Sequence, residues 1–392
     1  MKIYILIILL TLLSLPLSGQ KSISEVLHSV EKNNSTLRAL REEVRAEALD
    51  AQAGVALPDP EIGFDLLKKS PAPHGLRRDF SVSQSLDIAT LSGIRSKAAR
   101  AKGQLAESRY RVERQNLLLE TSLYCMDIIY YNALIQELER RIEHAGTLAE
   151  VQSRRLESGD GTILEYNNAT LQLSEAKGEL TRTSAERSTM IAHLARLNGG
   201  IPLSLETKDF EEPDPLPDFD TWILTVADQS PLLRYVGSEV KAMEGELALA
   251  KAERLPSLTA GYMGEFVPDE RFNGVTLGIS IPLWSGNKRV RAARARHSAA
   301  TLKRDDIRTQ LYANLRILYD RTKSLGEVAR SYRTALKESS NVSLLRKALD
   351  AGEISLPEYY VEIKLYYDIV TKSLEAERDY LKAYTELTAP LL

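Results

Sequence analysis

The sequence predicts a mainly α-helical protein with a small β part, built from two copies of one unit. The segment 156–166 returns at 349–359, 193 residues later, with the same spacing of glycine, glutamate and tyrosine. The run 97–101 returns at 291–295 after 194 residues. This period is far longer than the roughly 20 to 50 residues of a solenoid repeat. A tandem duplication of almost the whole mature chain is therefore expected.

The first residues are typical of a secretory signal peptide. Lys2 precedes an almost wholly apolar stretch from Ile3 to Leu17, and Ser18 and Gly19 are small residues suited to cleavage. About 15 apolar residues are too few for an α-helix to span a bilayer, which takes about 20. We therefore predict a signal peptide over residues 1–19 and export of the chain.

Composition excludes several classes of protein. A net charge of −3 over 392 residues gives no reason to expect a nucleic-acid partner. Cys125 is the only cysteine, so a disulfide framework is excluded and the end of the signal peptide lacks a cysteine for lipid attachment. Apart from the leader, no apolar run approaches spanning length, which argues against a helical membrane protein.

The first repeat is predicted over residues 20–200 and starts with an amphipathic helix from about 22 to 54. Ser22 and Glu25 have the spacing of a capping box at the start of this helix. Beyond it, apolar and polar residues alternate as in β-strands, and a long proline-free stretch follows. The remaining predicted elements are strands at about 61–67 and 80–88, and a helical hairpin over 93–198 with its turn at 158–162.

The second repeat, over residues 218–392, shows the same order of patterns. Its alternation is cleaner in the last strand, where five apolar residues occupy every second position. Residues 201–217 between the repeats are rich in proline and are predicted to cross the outside of the helical body. The predicted elements are strands at about 257–266 and 275–283, and a helical hairpin over 287–388 with its turn at 351–355.

Both hairpins carry the apolar period of a coiled coil. In the first, Tyr124, Ile128, Tyr131 and Ile135 are spaced by four and three residues, which keeps them on one helix face. The four strands are too few to close a barrel within one chain. Each nevertheless has one apolar and one small polar face, as the wall of a water-filled barrel in lipid requires.

The repeated turns have local sequence signals for two helix ends. Gly159 and Gly352 stand where one helix stops, and glycine tolerates the left-handed conformation of a helix terminus. Thr162 and Ser355 are suitable N-caps for the returning helices. Each copy is therefore predicted to be a strand pair joined to a long helical hairpin with a tight glycine turn at its far end.

This combination resembles the TolC-like outer membrane efflux family over residues 22–388. Its most specific part is the pair of Gly-x5-Glu turns, and Leu57–Pro60 with Ser83–Gln84 resembles the heavy-metal (CzcC/CusC-type) branch. The resemblance implies a homotrimer whose strands close a 12-stranded outer-membrane β-barrel, continued by a periplasmic α-helical tube. It also implies a passive duct that is not an enzyme and needs no cofactor.

The resemblance further implies the partners and the cargo of such a duct. An inner-membrane efflux pump of the RND type would supply the energy, a periplasmic adaptor (membrane fusion) protein would couple it, and outer-membrane lipid would surround the barrel. The exported substrates would be small toxic solutes, with heavy-metal cations as the favoured class.

Two acids and the turn residues around them are the candidate functional residues. Glu358, and with less weight Glu165, would ring the periplasmic mouth of a trimer as a gate. Capping of their own helices explains the same acids without a gate. The residues expected at the adaptor-contacting tip are Arg155, Leu156, Gly159, Lys347, Leu349 and Gly352.

No catalytic, cofactor or metal site is predicted. The five histidines lack paired ligand spacing. His74 is expected in the external loop without a special role, and solvated helix faces are expected for the other four, His28, His144, His193 and His297. The basic run 288–296 has no interleaved aromatic residues, so it is expected to contact lipid phosphates or to be solvated.

Two other classes of protein stay open at this point. A periplasmic coiled-coil adaptor would also have a leader and a helical hairpin, but it should show one hairpin within a glycine-rich β domain. A soluble structural coiled coil would leave the apolar face of the four strands without a core. Recovery as a soluble monomer would contradict the outer-membrane duct.

Overall fold

The protein is mainly helical with one four-stranded antiparallel sheet, as the sequence predicts. The predicted signal peptide at 1–19 lies outside the described residues. The computed structural model describes residues 22–68, 76–267, 270–282, 286–338 and 342–392.

Two helices, α1 (Ile23–Asn33) and α2 (Ser35–Ala53), replace the single amphipathic helix predicted at the start. The prediction is wrong because Asn34 between them takes an extended backbone. Its side-chain Oδ1 accepts the amide of Leu37 at 2.8 Å, and its Nδ2 donates to the carbonyl of Leu197 at 2.8 Å. The break therefore caps α2 and fastens the first helices to the end of the first hairpin.

The four strands pair in chain order, β1-β2-β3-β4, and every neighbouring pair is antiparallel. The ladder between the middle strands joins the first repeat to the second. Each repeat thus contributes one strand hairpin to a common sheet. The strands are β1 (Glu61–Lys68), β2 (Leu76–Leu86), β3 (Ser257–Val267) and β4 (Glu270–Ser280).

The strands predicted at 80–88 and 275–283 both begin and end earlier in the structure. β2 includes the charged residues before Phe80 because they continue the ladder with β1. It stops at Leu86 because the Asp87 side chain caps the short helix α3 (Ile88–Leu91). β4 pairs with β3 along its whole length and ends shortly before Pro282, which has no amide hydrogen to donate.

The sheet has two chemically different faces. Cross-strand neighbours on one face are mainly apolar and mostly exposed in the protomer, whereas those on the other are mainly glycine, serine and threonine. Alternation along each strand produces this separation, because successive side chains point to opposite faces. One row across the sheet is Ile62, Val82, Tyr262 and Val275, and the adjacent row is Glu61, Ser83, Gly261 and Thr276.

Long helices make up most of the remaining chain. The 64 residues of the longest helix span about 96 Å at about 1.5 Å per residue. Two shorter helices precede β3, just as two precede β1, so the order of elements repeats. The helices are α4 (Ile94–Glu157), α5 (Ile163–Leu197), α6 (Phe219–Gln229), α7 (Pro231–Ala252), α8 (Gly286–Glu338), α9 (Val342–Asp350) and α10 (Leu356–Thr388), followed by a 3₁₀ turn at Ala389–Leu391.

The proline-rich segment between the repeats packs on the helical body. Leu203 and Leu205 are buried in one hydrophobic core together with Cys125 of α4. The Asn132 side chain of the same helix donates to the carbonyls of Leu205 and Thr207 at 2.9 Å. Burial raises the pKa of the Cys125 thiol to about 12. This part of the segment is therefore a fixed strap across α4.

Candidate functional site

The two repeated glycines end their helices in the same left-handed conformation. Gly159 follows α4 with φ +80°, and Gly352 follows α9 with φ +73°. The amide after each glycine donates at 2.9 Å to a carbonyl five residues earlier, that of Arg155 in the first turn and Ala348 in the second. A Cβ at either glycine would meet no described atom within 4 Å. The backbone conformation, and not a lack of space, therefore requires glycine here.

Each return helix begins with a complete capping box. Glu165 Oε2 accepts the amide of Thr162 at 2.8 Å, and the Thr162 hydroxyl accepts the amide of Glu165 at 3.2 Å. Glu358 and Ser355 make the same pair of bonds at 2.8 and 3.4 Å. Two amides at each helix start, which have no partner within the helix, are thereby satisfied.

These contacts hold the pKa of both carboxyl groups below its usual range. For Glu358 the cause is hydrogen bonding from the hydroxyl and then the amide of Ser355. For Glu165 it is the amide and then the hydroxyl of Thr162, with a smaller contribution from the charge of Arg155. Both acids are therefore ionised at neutral pH, and capping accounts for each of them within a single chain.

The surroundings of the two boxes differ. Leu356, the first residue of α10, is 6% exposed, and Tyr359 on the same turn is 1% exposed. The equivalent first residue of α5, Ile163, is 54% exposed, and Leu164 beside it is also exposed. The start of α10 is thus packed against the rest of the protomer, whereas the start of α5 has exposed apolar side chains.

A cleft of about 620 Å³ separates the two turns. The predicted tip residues Arg155, Leu349 and Gly352 line it together with Glu165, while Glu358 is exposed to solvent outside this lining. The remaining predicted tip residues belong to the same two turns: Leu156 and Gly159 to the first, and the exposed Lys347 to the second.

The expectation that the histidines occupy solvated faces is wrong for His144. Its Nε2 lies 2.6 Å from the Tyr359 hydroxyl, and its Nδ1 lies 2.8 Å from the Tyr367 hydroxyl. Burial lowers the pKa of His144. Nothing in the sequence pairs residues more than two hundred positions apart, although the regular spacing of tyrosines along α10 hinted at a packed face. His193 is likewise stacked on Tyr124, with ring centroids 5.2 Å apart.

The described residues hold no group of three or more His, Cys, Asp or Glu side chains placed to bind a metal ion. His74 of the sequence prediction lies outside the described ranges. The basic run at the start of α8 is exposed, and two of its arginines approach acids. Arg296 lies 3.9 Å from Glu246 of α7, and Arg289 lies 4.0 Å from Glu253, the residue that follows α7.

Across the described part of the chain, every helix is too short or too polar to cross a membrane by itself. No protein-family model matches the sequence. It is 23% identical over 384 residues to the outer membrane efflux protein BepC of Brucella suis biovar 1 (strain 1330), covering 93% of this chain and 81% of that protein.

Several solved structures share the fold at low sequence identity. The Campylobacter jejuni CmeC outer membrane channel matches 94% of this chain and 85% of its own length, with a TM-score of 0.73 and 14% identity. CusC matches 94% and 91%, with a TM-score of 0.74 and 13% identity. The outer membrane protein VceC of Vibrio cholerae matches 94% of both chains, with a TM-score of 0.70 and 13% identity.

These matches confirm the predicted fold class, a mainly helical chain with a four-stranded sheet and long hairpins. The names of BepC, CmeC and VceC describe those proteins as outer membrane proteins or channels. In sequence and fold the chain is similar to outer membrane efflux proteins and channels, and these matches do not favour a heavy-metal branch.

Proposed function

We propose that three copies of this chain form the passive outer-membrane duct of a tripartite efflux system. The observation that carries the proposal is the two-faced sheet, whose apolar side is exposed and whose other side is small and polar. β1 and β4 are its edges, and exposed edges favour pairing with another strand. Three such sheets joined edge to edge give a barrel of twelve strands, with lipid outside and water inside.

Charges on the polar face gather near the end of the sheet remote from the helices. Asp65, Asp79 and Glu265 are direct cross-strand neighbours in one row. Arg77 lies 2.9 Å from the Asp79 carboxylate and 3.1 Å from that of Glu265. In each chain the acids at this end outnumber the single base Arg77, because Glu270 lies on the same face, so this part of the proposed bore is negative. Such a bore favours cations and neutral solutes over anions.

Energy for transport would come from an inner-membrane pump of the RND type, coupled through a periplasmic adaptor protein. The name of BepC as an outer membrane efflux protein supports the efflux role by similarity, and the pump and the adaptor are inferred from the family resemblance. The adaptor would contact the ends of the helical hairpins, where both glycine turns lie. The proposed contact residues are Arg155, Leu156, Gly159, Lys347, Leu349 and Gly352.

A periplasmic gate at Glu358 is part of the proposal, with Glu165 in a lesser role. In a trimer, three ionised copies of Glu358 would face one another across the mouth, and like charges held close together must be hydrated or neutralised by cations. The exposure of Glu358 in the protomer and its lowered pKa support this reading. Glu165 is half-buried beside Arg155, which reduces its effect on the mouth.

Small toxic solutes are the proposed substrates, and heavy-metal cations are the finer alternative. The motif that suggested metals has a structural explanation, because the Gln84 side chain donates to the carbonyl of Pro58 at 2.7 Å. The residues Leu57–Pro60 and Ser83–Gln84 thus fix the entry into the sheet. Deletion that sensitises cells to copper, zinc and cobalt would support the metal alternative. Sensitivity to dyes or detergents alone would contradict it.

Membrane fractionation followed by planar-bilayer recording tests the duct. We expect the full-length chain in the outer-membrane fraction as a trimer that forms long-lived open channels. A soluble monomer without channels would overturn the proposal and favour a periplasmic adaptor or structural protein. Replacing Val275 and Leu277, which are exposed on the apolar face, by glutamate should abolish insertion, whereas glutamate at Thr276 on the other face should be tolerated.

A further inference from the structure

His144 joins the two repeats close to their turns. The residue lies on α4 of the first hairpin, and both of its hydrogen-bond partners, Tyr359 and Tyr367, lie on α10 of the second. The imidazole meets the two phenol rings edge-on, with interplanar angles of 79° and 83°. One ring therefore uses both of its nitrogens to hold two helices together.

This arrangement suits a neutral imidazole. A neutral ring has one N–H donor and one acceptor nitrogen, and two hydroxyls satisfy both, one by donating and one by accepting. Burial raises the pKa of Tyr359 to about 12 and places that of Tyr367 further above its usual range, so both hydroxyls stay protonated. A charged imidazolium donates from both nitrogens and leaves one hydroxyl without its acceptor. In the tautomer in which Tyr359 is the donating hydroxyl, its almost complete burial keeps solvent from replacing that acceptor.

Positive groups flank the cluster. The guanidinium of Arg141 lies 4.6 Å from the ring centre of Tyr367 and donates to its carbonyl at 2.9 Å, while Glu137 is paired with Arg141 at 3.3 Å. The charge of Arg346 on α9 adds to the effect of burial on His144. The other charged groups lining the adjoining clefts are Arg155 of α4, Glu165, Glu175 and Glu179 of α5, Asp350 of α9, and Lys364 and Asp368 of α10.

We propose that His144 holds α10 against α4 only while its ring is neutral, so that acidification loosens the two turns from each other. The functional meaning rests on the proposed duct, in which this loosening would open the periplasmic end. The contact itself is a property of the single chain and does not depend on that function.

The direction of the pH effect follows from proton linkage. A detached His144 takes up a proton near the ordinary histidine pKa of about 6.5, whereas the half-buried ring in the contact has a lower pKa. Between these two values the detached form binds more protons. The contact is therefore at full strength above about pH 6.5 and weakens as the pH falls towards the lower pKa.

Amide hydrogen exchange of the full-length protein in detergent tests this proposal. The peptide covering 356–368 should open more at about pH 5 than at about pH 7.5, after correction for intrinsic exchange. The increase should be about tenfold for each unit by which burial lowers the pKa of His144. His144→Gln should remove this pH response, because an amide donates and accepts without becoming charged. Residues 163–175 of the first return helix serve as the internal reference.

His193→Gln is the matched control, since it removes another part-buried histidine far from α10 in sequence and should keep the wild-type response. A flat wild-type profile would overturn the proposal, as would a response that survives in His144→Gln. Bilayer recording of the same samples separates this inference from the duct. Failure to form channels would reject the duct and leave the exchange result standing.

Discussion

The first and second glycine turns share their backbone and differ in their surroundings. Both have a left-handed glycine, a capping box and the same hydrogen bonds back to the preceding helix. Leu356 is nevertheless buried, whereas its equivalent Ile163 is open. Local residues encode the turn itself, so duplication preserved it. Burial depends on what packs beside the turn, and there the two copies have diverged.

The largest expected difference between the turns concerns these two apolar residues. Leu356→Ala removes a buried side chain and should lower the free energy of unfolding by about 2–5 kcal/mol. Ile163→Ala, at an open position, should cost less than about 1 kcal/mol. Urea unfolding of the detergent-solubilised chain, followed by circular dichroism, measures both. Equal losses would show that a neighbouring copy covers Ile163 in the assembly.

The next largest effect is the loss of unfolding free energy on replacing either turn glycine, and it should be equal at the two positions. Valine at Gly159 or Gly352 must adopt a left-handed backbone, which should cost about 1–3 kcal/mol of unfolding free energy. Asparagine at the same positions is the matched control and should cost clearly less, because it tolerates this conformation. A larger loss of unfolding free energy at Gly352 than at Gly159 would show that Gly352 matters for more than the backbone conformation of its turn.

Removing the N-cap side chain should lower the unfolding free energy equally at the two turns, and by less than the glycine substitutions do. Thr162→Ala and Ser355→Ala should each cost about 1 kcal/mol of unfolding free energy at neutral pH. The glutamates of the boxes have lowered pKa values, so their contribution is present above the ordinary pKa of about 4.3 and is lost as the pH falls through the lower value. Unfolding across this range should therefore show a weaker pH dependence in the two alanine variants. If the pH dependence of unfolding is unchanged in the two alanine variants, the capping boxes are not its source.

The smallest expected difference between the two turns concerns ion conduction through the proposed channel. Glu358→Ala should raise single-channel conductance or lower cation selectivity in planar bilayers, and Glu165→Ala should do so less. Glu358→Gln separates the two roles of the acid, because glutamine can complete a capping box without a charge. If Glu358→Gln behaves like the alanine variant, charge at the mouth is responsible. Wild-type conductance and selectivity in both Glu358 variants would leave the acid with capping alone.

Sequence patterns predicted what is encoded locally. The turns at Gly159 and Gly352 and the caps at Thr162 and Ser355 were predictable because each depends on residues within one helical turn. The alternation of the strands also gave their faces correctly. The candidate gate and tip residues remain predictions, since their roles depend on copies and partners beyond a single chain.

Features that depend on distant partners were missed. The helix break at Asn34 is stabilised by the carbonyl of Leu197, which no local pattern reveals. The start of β2 was not predicted because Arg77 and Asp79 resemble loop residues in the sequence. In the structure Arg77 pairs with Asp79 and with Glu265. The structure adopted by such residues depends on tertiary neighbours, and a single sequence does not show which residues those neighbours are.

The buried thiol of Cys125 makes the wild-type chain a ready background for site-directed labelling. A thiol reacts as its thiolate, and a pKa of about 12 within the core leaves almost none of that form at neutral pH. A cysteine introduced at an exposed turn position, such as Arg154 or Lys347, should therefore take up a maleimide fluorophore selectively. Opening of the two turns could then be followed by optical spectroscopy without first removing the native cysteine.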